Sequence, residues 1–107
     1  RTDEALKANA IHARQIAKQH ECAIFYMSQL SADAENKVVL NQAMMEGSRT
    51  GKAAEADLMI LIAKNPPVEG QEEEDTMRHL NLVKNKLSGW HGIIHCELEY
   101  KTARYVV

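Results

Sequence analysis

The hydrophobic and polar positions along the chain predict one helix followed by strands. Thr2, Asp3 and Glu4 form a helix start, because a hydroxyl can cap the first turn and acidic side chains there complement the helix dipole. A narrow stripe of small apolar residues then repeats at helical spacing as far as His20. Residues 22–30 are an unbroken apolar run, which is typical of a strand buried on both faces in an α/β protein.

The middle of the chain is less regular. Residues 31–51 are small and polar with mixed signals, and a connection of that length in a compact domain is usually functional or disordered. Residues 51–56 predict a short helical turn, and Leu58–Ala63 predicts a second buried strand. The acidic run at residues 72–75 is typical of a solvated loop.

The last third of the chain predicts an antiparallel hairpin. An apolar strand over residues 77–86 ends in Lys84 and Lys86, and two glycines precede a partner strand that reaches residue 100. Because residues two apart in a strand point to the same face, the two lysines would project together as an anion clamp. The simpler alternative is a hairpin whose turn carries exposed lysines. Residues 104–107 can pair back, so the predicted fold is an α/β unit with an antiparallel edge.

Composition narrows the class of protein. The chain has 107 residues, enough for one small domain, and its 45% hydrophobic and 26% charged residues indicate a globular chain. A formal net charge of −2 excludes a strongly basic nucleic-acid binder and restricts any DNA contact to local patches. The distant Cys22 and Cys96 favour reduced thiols in a cytosol-like compartment. The sequence shows no apolar run of bilayer length and no signal-like start.

Four segments, in this order, resemble the C-terminal half of the RecA-fold motor core of hexameric replicative helicases of the DnaB-like kind. The first helix resembles the one that follows the Walker B strand in that family. Gln29, at the end of an apolar run, stands where the family carries a polar γ-phosphate sensor. Residues 47–60 resemble the segment after the second DNA-binding loop, and Lys84-Asn-Lys86 resembles the finger that reaches the nucleotide of the neighbouring subunit.

Two departures from the family's pattern stand out. The helicases usually carry arginine where Lys86 stands, and paired lysines resemble the RecA recombinases instead. There is also no Walker A loop, because residues 47–53 place three residues between the glycines and alanine after Lys52, where the motif needs four and a hydroxyl residue. The Walker B carboxylate would lie just upstream of Arg1. We therefore expect residues 1–107 to be a partial RecA-like ATPase domain whose nucleotide-binding half precedes them.

The resemblance implies part of an ATP-dependent DNA helicase core that is inactive as this segment alone. It implies ATP and Mg²⁺ held mainly by the absent half and at subunit interfaces, with Lys84, Lys86 and Gln29 as the catalytic residues. It also implies a hexameric ring on single-stranded DNA, away from membranes, in the cytoplasm of a bacterial or phage-infected cell. Two alternatives stay open: a RecA-type recombinase core, and a non-catalytic RecA-like module that binds a partner or DNA.

The long loop supplies the candidate DNA contacts. Lys37, Arg49 and Lys52 lie among amide side chains, a mixture that suits contacts to the phosphate backbone of single-stranded DNA. Because residues 32–52 contain no aromatic residue, base stacking is not supported. The alternative is a disordered polar loop, and the residues favour neither.

Two features beside the hairpin have structural explanations. His91, His95 and Cys96 with Cys22 suggest zinc, but adjacent residues of a strand point to opposite faces. We therefore predict no metal site, with Cys96 packed in the sheet and His95 exposed. Trp90 is expected to pack either across a subunit interface or as a local lid on the hairpin.

Overall fold

A computed structural model describes residues 2–44, 55–71 and 73–107. Within these residues the chain is mixed α/β, with one α-helix and a four-stranded antiparallel sheet in the order β1-β2-β3-β4. Two single-turn 3-10 helices, Ala32–Ala34 and Gln42–Met44, precede the sheet. The longer elements are α1 Thr2–His20, β1 Leu58–Ala63, β2 Met77–Asn85, β3 Gly92–Glu99 and β4 Arg104–Val106.

The terminal hairpin forms as predicted, and β4 pairs back along β3. β1 lies against the other edge of β2, and a bulge between Met59 and Ile60 shifts its register near the lysines. β1 and β2 are also antiparallel, so antiparallel pairing is not confined to one edge as the sequence predicted. The reason is the connection between them, because a parallel pair needs a crossover, usually a helix, and the described residues of this connection form none.

The predicted strand over residues 22–30 is wrong. The segment runs without regular secondary structure, apart from an isolated bridge at Leu30. Phe25 is 91% and Met27 is 94% exposed. A strand needs a neighbour that satisfies its backbone N–H and C=O groups, and none of the four described strands pairs with this segment. An apolar run predicts burial only where another layer covers it.

One face of the sheet carries the core. The buried cluster on that face consists of Leu40, Met59, Leu61 and Ala63. On the opposite face of β1, Leu58, Ile60 and Ile62 are between 42% and 47% exposed. The strand predicted over Leu58–Ala63 is therefore confirmed, but only one of its two faces is buried.

Asn81 of β2 fixes residues 38–40 against the covered face. Its side chain is 2% exposed. Its Oδ1 accepts a hydrogen bond from the Leu40 backbone N–H at 3.0 Å, and its Nδ2 donates to the Val38 carbonyl at 3.0 Å. Residues 31–44 thus form an irregular connection, as predicted, but one that is packed on the sheet. The remainder of the predicted loop and helical turn, residues 45–54, lies outside the described residues.

Candidate functional site

The turn between β2 and β3 holds the two lysines, and the residue between them organises it. Asn85 Oδ1 accepts hydrogen bonds from the backbone N–H groups of Leu87 at 3.0 Å and Ser88 at 3.1 Å. Asn85 Nδ2 donates to Ser88 Oγ at 2.8 Å. Gly89 has φ +79°, a conformation that glycine adopts without strain. Lys84, the penultimate residue of β2, and Lys86, the first residue after it, are therefore held on a defined turn.

Lys84 and Lys86 lie close enough for their charges to interact. Burial lowers the pKa of Lys84 from its ordinary value, and the Lys86 ammonium lowers it further. Lys86 also donates its backbone N–H to the Asp57 carbonyl at 2.9 Å, which ties the turn to the start of β1. Lys84 lies opposite Met59 in the sheet register. Lys84 thus lies at the end of β2 and Lys86 in the turn after it, near enough for their charges to interact, and the anion clamp stays a prediction.

Arg14 of α1 adds a third cation that the sequence analysis missed. Its Nη1 donates to Asp57 Oδ1 at 3.0 Å and to the Glu55 carbonyl at 3.0 Å, and its Nε lies 3.9 Å from Glu55 Oε2. Arg14 also lies near enough to Lys84 to lower the pKa of that ammonium. The cationic cluster therefore consists of Arg14, which contacts the carboxylate of Asp57, and of Lys84 and Lys86, whose charges act on that carboxylate. No pattern in the sequence links Arg14 to the hairpin, because its contacts with Glu55 and Asp57 join segments about 40 residues apart.

Asp57 is the carboxylate that Arg14 contacts and on which the charges of the two lysines act. The hydrogen bond from Arg14 is the main cause that lowers the pKa of Asp57, followed by the charge of Arg14 and then the charges of Lys86 and Lys84. Partial burial opposes this effect. The cluster can thus hold a carboxylate, and a more highly charged phosphate presented to the lysines would compete with it.

Acidification is expected to weaken the contacts of Asp57. Because its pKa is lower in the folded protein than the ordinary value of 3.8, its stabilising contribution is complete above that value. The contribution is lost as the pH falls through the folded pKa. Asp57→Asn should therefore flatten the acid limb of a plot of melting temperature against pH, below about pH 4. Asp33→Asn, in an exposed 3-10 helix, is the control. An Asp57→Asn acid limb as steep as that of the unmodified protein would contradict this assignment.

The other predicted site residues are not part of the cluster. Gln29 and Lys37 are exposed, and within the described ranges no hydrogen bond or ion pair connects either side chain to Lys84 or Lys86. Arg49 and Lys52 lie outside the described residues. Among the described residues, the structure therefore places neither Gln29 nor Lys37 beside the two lysines.

An open depression of about 620 Å³ lies between residues 39–43 and the facing parts of β2 and β3. Gln42 and Val83 both line it, and Gln42 Nε2 donates a hydrogen bond to the Val83 carbonyl at 2.9 Å. At the start of β3, the ring of Trp90 lies directly against Gly92, so closely that a Cβ at position 92 would overlap it. This contact agrees with the local-lid alternative for Trp90, whose side chain stays half-exposed.

Three further expectations concern metals, thiols and membranes. Within the described ranges, no group of three or more His, Cys, Asp or Glu side chains converges on one point. Cys96 is buried in the sheet and His95 is exposed, as predicted, and both cysteines are free thiols. No helix in the described part of the chain is both long enough and apolar enough to cross a membrane.

The described chain is therefore a mixed α/β structure with a cationic hairpin turn at one end of an antiparallel sheet. Compared with known proteins, the chain has no significant match to a family model, a curated protein or a solved structure.

Proposed function

We propose that the chain is the C-terminal part of a RecA-like ATPase core that drives a replicative DNA helicase. The observation that carries this proposal is the pair Lys84 and Lys86 on a turn held by Asn85, with their charges acting on the carboxylate of Asp57. The order of segments that resembles DnaB-like helicases supplies the family. The antiparallel terminal hairpin is compatible with that reading.

The chemistry that the lysines would serve is phosphoryl transfer to water. This reaction depends on positioning and on cations that neutralise the charge of the γ-phosphate in the transition state. In the proposal, Lys84 and Lys86 reach the ATP of the neighbouring subunit in a hexameric ring. ATP and Mg²⁺ are bound mainly by the nucleotide-binding half of that neighbour. Each lysine is a point charge without the fork of arginine, so the pair neutralises charge more than it fixes geometry.

Asp57 gives the pair a resting partner. In the absence of nucleotide its carboxylate lies among Arg14, Lys84 and Lys86, which limits repulsion between the three cations. A γ-phosphate carries more charge than a carboxylate, so it attracts the lysine ammonium groups more strongly. The Arg14 contacts then keep Asp57 in place while the lysines turn to the phosphate.

The remaining roles follow from the resemblance. Gln29 would sense the γ-phosphate and pass its presence to the loop that follows. Lys37, Arg49 and Lys52 would contact the phosphate backbone of single-stranded DNA without reading its sequence. The exposure of Gln29 and Lys37 leaves both side chains accessible to such ligands.

Two other functions are each favoured by one observation. Lysine rather than arginine at position 86 favours a recombinase core, which forms filaments on DNA. The lack of a Walker A loop in residues 47–53 favours a non-catalytic module that only binds DNA or a partner.

Strand displacement by the full-length protein tests the proposal. We expect it to unwind a forked DNA duplex when ATP and Mg²⁺ are present, and to remain inactive with a non-hydrolysable ATP analogue. DNA-stimulated ATP hydrolysis without unwinding would identify the recombinase. DNA binding without ATP hydrolysis would identify the non-catalytic module.

The salt dependence of single-stranded DNA binding tests the DNA contacts. A triple alanine variant of Lys37, Arg49 and Lys52 should reduce the slope of log affinity against log salt by about 2. An unchanged slope would remove the DNA-contact assignment.

A further inference from the structure

A chain of hydrogen bonds runs from a carboxylate to a pair of histidines on adjacent strands. Asn65 Nδ2 donates to Asp75 Oδ2 at 2.7 Å, and Asn65 Oδ1 lies 2.8 Å from His79 Nε2. His79 of β2 stands directly opposite His95 of β3. The two Nδ1 atoms are 2.7 Å apart, and the rings meet edge to face with centroids 4.9 Å apart.

Asp75 determines which nitrogen of His79 carries a proton. Its pKa is lowered mainly by the hydrogen bond from Asn65 and next by that from the Met77 backbone N–H, so it is a carboxylate that only accepts. Asn65 must therefore turn its NH₂ group toward Asp75 and its carbonyl oxygen toward His79. That oxygen also only accepts, so His79 carries a proton on Nε2. In the neutral ring the lone pair is then on Nδ1, which faces His95.

A single proton lies between the two Nδ1 atoms. Because the lone pair of His79 is on Nδ1, the hydrogen bond requires the proton to come from Nδ1 of His95. Two protons cannot fit in this 2.7 Å gap, because two N–H groups would then point at each other. Both Nδ1 lone pairs thus converge on one place, which a cation other than a proton can also occupy.

We propose that His79 and His95 form a binding site for a divalent transition-metal cation such as Zn²⁺ or Cu²⁺, which replaces the shared proton. Imidazole nitrogen is a preferred ligand of both metals. A metal-binding histidine usually donates its other ring N–H to a carbonyl or carboxylate, and Asn65 with Asp75 provides that arrangement for His79. The site is independent of the cationic cluster and of the proposed helicase function.

The two rings differ in mobility in a way that suits metal entry. His79 is 8% exposed and is fixed by Asn65, whereas His95 faces solvent. Two bonds of about 2.0–2.1 Å at a tetrahedral angle place the nitrogen atoms roughly 3.3 Å apart, so the pair must open by about 0.6 Å from its present 2.7 Å. His95 must also rotate, because the two nitrogen atoms now point almost directly at each other. His95 can make that movement. Because the described chain offers no third side chain of the His, Cys, Asp or Glu type, water completes the coordination.

Titration of the metal-free protein with Cu²⁺ and with Zn²⁺, followed by calorimetry, tests the proposal. We expect one high-affinity ion per chain and a Cu²⁺ electron paramagnetic resonance spectrum with two equivalent nitrogen ligands. His95→Ala should reduce the affinity by at least about tenfold, and Asn65→Ala by about 10–100-fold while both ligands remain. Mg²⁺ should not compete, because it prefers oxygen ligands.

The controls separate this site from other histidines and from unfolding. His91→Ala is the matched control, because His91 is an exposed histidine outside the pair. The metal affinity of this variant should equal that of the unmodified protein. Since His95 is exposed, His95→Ala should keep its fold, which circular dichroism checks. The metal should raise the melting temperature of the unmodified protein and not that of His95→Ala. Equal affinities in the unmodified protein and His95→Ala, or loss of binding in His91→Ala, would overturn the assignment.

Discussion

Replacing Lys84 and Lys86 together with alanine in the full-length protein is expected to reduce ATP hydrolysis by about 10³-fold or more. This is the scale on which a trans-acting cation stabilises the transition state of phosphoryl transfer. The expectation rests on the proposed function and on the two ammonium groups that the hairpin turn brings together. Steady-state ATPase measurements with saturating DNA give the result. Binding of ATP itself should change much less, because the cations act on charge that develops during the reaction.

The matched control for that variant replaces Lys64 and Lys101, two exposed lysines that lie away from the turn. It removes the same number of charges and should leave hydrolysis unchanged. Because the fingers act on a neighbouring subunit, mixing variant subunits into unmodified rings should reduce ATP hydrolysis by a larger fraction than the fraction of variant subunits added. If the double variant retains full activity, or if inhibition is strictly proportional, the finger assignment fails.

Asn81→Ala is expected to lower the free energy of unfolding by about 2–4 kcal/mol. The side chain is 2% exposed, and its removal leaves the Leu40 N–H and the Val38 carbonyl without their partner in the protein interior. Each unsatisfied buried polar group costs about 1–3 kcal/mol. Urea denaturation monitored by circular dichroism measures the change.

Asn41→Ala controls for the loss of an asparagine from the same region. Asn41 is exposed, and its Oδ1 accepts one local hydrogen bond from the Ala43 N–H at 3.0 Å. Its replacement should therefore cost no more than about 1 kcal/mol. A loss for Asn81→Ala as small as that of the control would show that Asn81 does not hold residues 38–40 on the sheet.

The hairpin and the lysine pair could be predicted because each depends on local rules. Alternation along a strand predicts that Lys84 and Lys86 project together, and Gly89 after them adopts the positive φ of the turn. The same rules could not show that Asn85 would hold the turn through its side chain, although asparagine is a common turn residue and gave a signal that could have been used.

The prediction for residues 22–30 failed because burial is a property of the whole fold. Ile24 and Phe25 suit a buried strand, yet nothing in the described sheet pairs with them. Arg14 and the pair of His79 with His95 were missed for a related reason. Their partners are fixed by helix packing and by strand register, which a linear pattern does not contain.

Asn81 and Lys84 lie three residues apart on β2, roughly 10 Å along the strand. The first holds residues 38–40, from which the chain continues toward Arg49 and Lys52, and the second belongs to the cationic cluster. β1 pairs with both positions, through Leu61 and Met59, whereas the pairing of β2 with β3 ends at Leu82. Under the proposed function, the pair of strands β1 and β2 would therefore couple a movement of Lys84 toward phosphate to the segment that leads to the DNA contacts.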